Sequence, residues 1–478
     1  MERDSRFEAL ERRVVLDGHL TNVLYYPEGF TSANVNEYVP ITNPNDVAVE
    51  FELHARYEWG ERDALIARGT IAPRSRDGVT ISEITRPDDR LVRTDVPYAL
   101  VLRSTMPLAA TLSHYDFGTA VGESFVATTG PLWSFADGRK DSAGSRDFIL
   151  VFNPNATVAN VTLTVMDSAG GITTRSIVVE AERRAGWSLD DIPGIAPGAF
   201  AATVVSDVPI VAAQSHYELE SQRGYGLIGT VGGGSLAGVL PTIDFDDSFY
   251  EINGDEPSGV RFEGNAFVSI VNPNGAPATV TLTFLLDESG SGDPPPIRRV
   301  AIVPAQSRSQ ISIRDLGVAQ DVEIAVVYRS NVPVTVSGSV YQGRDGTGFN
   351  AATQAATTWD FGEGFMSRSR AGREVEEDIY VFNPTSQDVS VTVTFFMLDG
   401  TTRTISDDIS SLEVEDIKIH ELAEFITGPE NQFFGFRVTS PSPIVASVEH
   451  WDGSIGGGFS TFGMPRGTVV DLASVLAI

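Results

Sequence analysis

The chain contains no cysteine. Disulfides, thiolate metal sites and cysteine nucleophiles are therefore excluded. Lysine is nearly absent as well: Lys140 and Lys418 are the only two among 34 basic residues. Those 34 face 64 acidic residues, for a formal net charge of −30. A field of that sign repels phosphate backbones and anionic lipid, so nucleic acid and membrane surfaces are poor partners. No apolar run approaches the roughly 18 residues of a spanning helix. The N-terminus, Met1 to Arg6, is charged and no long apolar core follows it. No signal peptide is visible, which leaves a chain that stays inside or a mature form. There is no Gly-x-Ser-x-Gly elbow and no His-Glu-x-x-His. Gly232-Gly233-Gly234 and Gly456-Gly457-Gly458 lack a following Gly-Lys-Ser/Thr, so they read as loops rather than phosphate cradles.

What is present is a repeat. Asn153-Pro154-Asn155 leads into Val161, Leu163 and Val165, which alternate with Thr162 and Thr164 before Asp167-Ser168-Ala169-Gly170-Gly171 breaks the run. That is a turn, a half-buried strand and a hairpin. The same order follows Asn43-Pro44, Asn272-Pro273 and Asn383-Pro384, at spacings of 110, 119 and 111 residues. A second signature pairs Ser104, Ser206, Ser330 and Ser440 with a proline three residues on. Ten residues after each Ser an apolar or imidazole residue precedes an aromatic: His114-Tyr115, His216-Tyr217, Val340-Tyr341 and His450-Trp451. A third precedes each Asn-Pro: Tyr25 to Gly29, Trp133 to Gly138, a degenerate Ile243-Asp244-Phe245, and Trp359 to Gly364. Repetition of turn and strand register together marks an array of one unit. The hydrophobic fraction, 42%, suffices for packed cores.

Taken in order, residues 1–19 read as a short N-terminal arm, helical over 4–16. Four units follow at 20–130, 131–240, 241–356 and 357–478. Unit two reads as strands Phe148–Phe152, Val161–Met166, Ile172–Glu180, Gly186–Leu189, Phe200–Ser206 and Ile210–Tyr217. Six or seven strands in about 100 residues is the count of an immunoglobulin-like sandwich. Unit three carries an acidic insertion over 244–264, expected as a surface loop, and a second insertion ending in Pro294-Pro295-Pro296. Val414 to Phe425 is expected to hold a short helical turn. The last stretch, Gly467 to Ile478, matches in phase Ser235 to Pro241, which leads into unit three. It is an apolar strand with no unit after it, either folded back or offered to another molecule.

The conspicuous residues are weighed against simpler roles. The Asn-Pro pairs read as turn chemistry. The recurring aromatics Tyr115, Trp133, Phe135, Tyr217, Tyr341, Trp359, Phe361 and Trp451 read as packing, with a sugar-stacking platform as the competing role. His114, His216 and His450 share a position that holds Val340 in unit three, which argues against a base in every unit. Ser113, His114 and Asp116 lie on one strand and cannot form a triad. The acids Asp244, Asp246, Asp247, Glu251, Asp255 and Glu256 could ligate calcium but lack an ordered loop spacing.

With Trp133–Gly138, Asn153-Pro154 and Ser206–Tyr217 placed, the chain resembles a family of uncharacterised bacterial repeat domains of large surface or secreted proteins. Unit three departs from it at Ile243-Asp244-Phe245. The resemblance implies an immunoglobulin-like fold and an extracellular or cell-surface setting, and supplies no active site. The expectation is therefore an all-β chain of four tandem immunoglobulin-like β-sandwich domains behind a short arm. Its role is a non-enzymatic structural protein of a bacterial surface assembly (filament, sheath or surface layer) that self-associates. The alternative is a glycan-binding or adhesin protein. No catalytic, cofactor-binding or metal-binding residues are assigned, and no cofactor.

Overall fold

The computed structural model describes residues 20–58, 63–84, 92–141, 144–245, 249–253, 256–262, 264–287, 294–318, 322–369 and 374–476. The helix expected over 4–16 lies outside them. The fold is all-β, with helical pieces of one turn at Ile81–Ile84, Ala423–Ile426 and Leu472–Val475. The turn expected in Val414 to Phe425 falls at Ile419–Glu421 and Ala423–Ile426.

Each repeat is built about the stretch around its Ser-x-x-Pro signature. In the second repeat the two strands expected there form one continuous strand, Gly198–Glu218. Its first half pairs with Ala159–Asp167 and Gly130–Phe135, its second half with Ser145–Phe152 and Arg223–Ile228. The strand therefore passes from one sheet to the other, and the register breaks between Val205 and Ile210, across Pro209. Proline cannot donate to a ladder, so the crossing point falls where pairing must stop. Val322–Gln342 and Asn431–Asp452 do the same. In the first repeat the crossing is a break between Tyr98–Ser104 and Ala109–Asp116.

The Asn-Pro signature clamps this corner. Asn153 is fully buried, and its Nδ2 donates to the carbonyls of Thr157 (2.8 Å), Val179 (3.1 Å) and Glu180 (3.1 Å). Its Oδ1 accepts from Asn155, whose Nδ2 reaches the Pro209 carbonyl at 2.7 Å. Asn45 and Asn274 reach Pro107 and Pro333 in the same way. The two signatures are thus two sides of one contact. The tryptophans act beside it: Trp133 Nε1 donates to Ile210 O at 2.9 Å and Trp359 Nε1 to Ile444 O at 2.8 Å.

The third repeat opens earlier than its sequence signature implies. Ser235–Leu240 pairs with Val322–Gln342 as Gly130–Phe135 pairs with Gly198–Glu218. Gly238 and Leu240, rather than Ile243 and Phe245, hold the places of Trp133 and Phe135. The acidic insertion expected as a loop contains a hairpin, Phe249–Asn253 with Glu256–Phe262. Asp246, Asp247 and Asp255 lie outside the described residues.

The repeats close on themselves. Thr119–Ser124, Arg223–Ile228, Asp345–Asn350 and Gly457–Phe462 pack each on the next, and the last packs on the first. Small residues permit the approach. A Cβ on Gly348 would lie 2.4 Å from the Tyr225 ring, and one on Gly122 2.5 Å from that of Phe459. Asn350 Nδ2 donates to Ile228 O at 2.6 Å, Gly458 N to Asp345 Oδ1 at 2.9 Å, and Ser124 Oγ to Phe462 O at 2.7 Å. The strand left over in sequence, Met464–Asp471, folds back on Gln354–Phe361 of its own repeat. Among the described residues it pairs with no other strand.

Candidate functional site

Three repeats bury a carboxylate against an imidazole. Glu37, Asp147 and Glu377 each lie six residues before the clamping asparagine. They sit directly across the ladder from His114, His216 and His450. Side chains of directly opposed residues share a face, so the pairs meet. The Nδ1-to-carboxylate distances are 2.8, 2.9 and 2.8 Å. Burial opposes a charged imidazole, yet the partner carboxylate outweighs it and raises His114 and His450 to about 9. His216 is raised in the same way. In the third repeat the same two places hold Ala266 and Val340, also opposed. Both halves of the pair are missing together. Leaving one charge buried alone is costly, whereas replacing both with apolar groups is nearly neutral.

A second acid links the first repeat to the second, the second to the third and the fourth to the first. Glu28, Asp137 and Glu363 come from the turn after the lead-in strand. The carboxylate of Glu28 accepts from Ser215 of the second repeat. Asp137 accepts from Ser339 (2.7 Å) and Ser269 (3.1 Å) of the third, with Arg308 at 3.5 Å. Glu363 accepts from Ser113 of the first at 2.7 Å, which closes the circle. Arg184, Arg308 and Arg76 occupy one register position in successive partners, and their charges act on Glu28, Asp137 and Glu363. Each of these three junctions therefore buries two carboxylates with one imidazole and one guanidinium, a balanced set.

The junction of the third and fourth repeats is different. Thr242 stands where the linking acid would be, Val414 where the arginine would be, and Glu449 where the serine would be. A cavity of about 30 Å³ lies there, lined by Thr242, Val340, Gln342, Asp345, Thr347, Phe349 and Glu449.

Glu363, Glu377 and His450 each place one ligand atom within 4.8 Å of the others, so these three could hold a metal. Burial, with the charge of Glu363 adding to it and His450 opposing it, raises Glu377 to about 7. Arg76 and His450 already supply two positive charges to this set, so its electrostatics are balanced without an ion.

The sequence reading placed the histidines at one position, and they are so placed. It missed Glu37, Asp147 and Glu377, whose fixed six-residue offset before the asparagine was the available sign. It separated Ser113 from His114, and the two do face opposite ways, toward Glu363 and Glu37. Trp133, Phe135, Tyr217, Tyr341, Trp359 and Phe361 are buried, whereas Tyr115 and Trp451 are half-buried.

A model of a protein family matches residues 133–407, more than half of the chain. The chain belongs to the family of unknown function DUF5719. No match is found among curated proteins. Solved structures give weak likenesses to this DUF5719 member. A Thermotoga maritima protein, 1070, is 17% identical with a TM-score of 0.21, over 23% of this chain and 96% of that one. The Anabaena sensory rhodopsin transducer is 23% identical with a TM-score of 0.17, over 18% and 97%. A tetra-tandem repeat from the extending region of a large adhesion protein is 10% identical with a TM-score of 0.12, over 90% and 92%.

Proposed function

We propose that the chain is a non-enzymatic structural protein of a bacterial surface assembly, extracellular or at the cell surface. Its four repeats act as immunoglobulin-like β-sandwich domains, the third beginning at Ser235–Leu240. The observation that carries the reading is the use of the buried acids, arginines and serines. At three junctions they hold one repeat to the next, including Glu363 of the last to Ser113 of the first. Chemistry-bearing side chains are spent on rigidity, as a scaffold requires. Self-association then falls to the outer surface. Among the described residues Met464–Asp471 is paired on one side only, and such an edge accepts a strand from another copy. Its other side folds back on Gln354–Phe361, the first of the two fates open to an apolar strand with no unit after it.

Light scattering and negative-stain imaging of the full chain across a concentration series test the proposal. Ordered arrays or filaments are expected. A 51.4 kDa monomer at every concentration would end the assembly reading. The glycan-binding alternative loses Trp133 and Trp359, at 1% and 3% exposure, and retains the half-buried Trp451.

A further inference from the structure

The outer edge strands of the third and fourth repeats have diverged in opposite directions. Ile297–Val303 and Thr402–Ile409 each end a sheet. Among the described residues each pairs on one side only, with Ala278–Asp287 and Val389–Met397. On the first, Val300 and Ile302 stand out at 64% and 72%, the most exposed large hydrophobics among the described residues. Arg298 and Arg299 beside them are exposed. Arg299 donates to the Arg298 carbonyl at 3.1 Å, and neither guanidinium meets a carboxylate among the described residues. At the places of Val300 and Ile302 the fourth repeat carries Ser406 and Asp408, with Asp407 between them. Asp407 accepts from the Asp408 N–H and Asp408 from the Ser390 hydroxyl, and neither is in an ion pair among the described residues. More acid lies beside them. Burial, then the charges of Asp407, Asp287 and Glu413, holds Glu415 above the ordinary carboxylate range.

A sheet edge offers a row of unpaired backbone donors and acceptors to another strand. Copies of a chain with a formal net charge of −30 repel one another at long range, so a contact between them requires locally opposed charge. These two edges supply it. Set antiparallel, with Arg298 opposite Asp408 and Arg299 opposite Asp407, all 7 residues of Ile297–Val303 find a partner in 403–409. In this register Arg298, Val300 and Ile302 come beside Asp408, Ser406 and Thr404. The first three share a face with Thr283, Thr281 and Thr279, the others with Ser390, Thr392 and Thr394. Both are the faces turned away from the core residues Val280, Leu282, Val391 and Val393, so the joined sheet keeps one core face. A slip of one residue breaks this match.

We infer that the edge strand Ile297–Val303 of one copy adds to the edge strand Thr402–Ile409 of a second copy of the chain. Each copy carries both edges, and they do not pair with each other within it. The contact is therefore heterologous and repeats head to tail, into a ring or an open filament according to the rotation per step. The inference rests on the proposed self-association and names a seam for it besides the Met464–Asp471 edge. Charged side chains on an edge can instead serve to block pairing, and that role predicts the opposite response to their removal.

Sedimentation velocity of the full chain across a concentration series tests it. Arg298→Glu with Arg299→Glu, and Asp407→Arg with Asp408→Arg, should each raise the concentration needed for association by at least about tenfold. An equimolar mixture of the two variants should regain it, because every edge then meets its opposite charge. Arg298→Ser with Arg299→Ser should weaken association too. If that variant associates more strongly, the arginines block pairing and the inference is overturned. Association that charge reversal leaves unchanged, or that the mixture fails to regain, also overturns it, while the assembly reading stands on Met464–Asp471. An unaltered chain that stays monomeric at every concentration ends the assembly reading and this inference together. All four positions are exposed, and circular dichroism of each variant checks its fold before the comparison.

Discussion

His114 and Glu37 show what a buried ion pair demands of its surroundings. Each is almost fully enclosed, at 2% and 0% exposure, and each satisfies the other. Replacing His114 with valine alone strands the carboxylate and should cost about 3–5 kcal/mol. Replacing both, as Glu37→Ala with His114→Val, reproduces the Ala266 and Val340 arrangement. That variant should lose less than the single substitution, because no buried charge is left over, although Phe30 N and the Tyr98 hydroxyl lose their acceptor. Denaturant unfolding of the two variants checks this, and equal losses in both would refute it. The same pair, with Glu123, sets a pH dependence. Glu123 is raised from 4.5 to about 7 by burial, and His114 from 6.5 to about 9 by Glu37 against burial. Both groups hold their protons more tightly when folded. The stability each adds is complete below its ordinary value and is lost as pH rises through the folded one. The unfolding midpoint should therefore fall from pH 5 to pH 9.5, and Glu123→Gln should lessen the part of the fall below pH 7, to which Glu377 also contributes. A midpoint that rises over this range would contradict the assignment. Of these residues only the histidines stood out in sequence, because a carboxylate six residues before an asparagine gains meaning only when the ladder opposes it to an imidazole.

At the scale of elements, the strand that crosses between sheets is the organising device. Its turning point was legible as Ser-x-x-Pro, and its anchor as Asn-Pro. That the anchor's side chain grips the turning point was not legible, since Asn155 and Pro209 lie 54 residues apart. No strand was legible in the sequence at Arg223–Ile228 or Asp345–Asn350. Their glycines serve contact between repeats. Gly348→Val would drive a side chain into the Tyr225 ring, and overpacking of this kind costs about 1–3 kcal/mol. The loss should be local. Hydrogen exchange should quicken in Arg223–Ile228 and Asp345–Asn350 while the ladder of Val49–Tyr57 with Tyr98–Ser104 keeps its protection. Uniform quickening in all four repeats would refute this.

For the whole molecule, the contact of the fourth repeat with the first closes the arrangement. Ser124, Thr461, Glu363 and Ser113 make it without any covalent link. Removing residues 354–478 would uncover Thr119–Ser124 and the Ser113 face on one side and the Asp345–Asn350 face on the other. The shortened chain should dimerise or aggregate at concentrations where the full chain does not, which light scattering would show. An equally monodisperse product would argue that closure contributes little. The sequence by itself determined the β class, the repeat, its turns and its corner prolines, because each depends on residues near in the chain and on period-two alternation. Only the tertiary structure decided that the array bends into a closed circle, that its polar residues face each other across junctions, and that one junction lacks their charges. Those outcomes rest on pairs more than a hundred residues apart, where a side chain's partner is fixed by packing rather than by its neighbours in sequence.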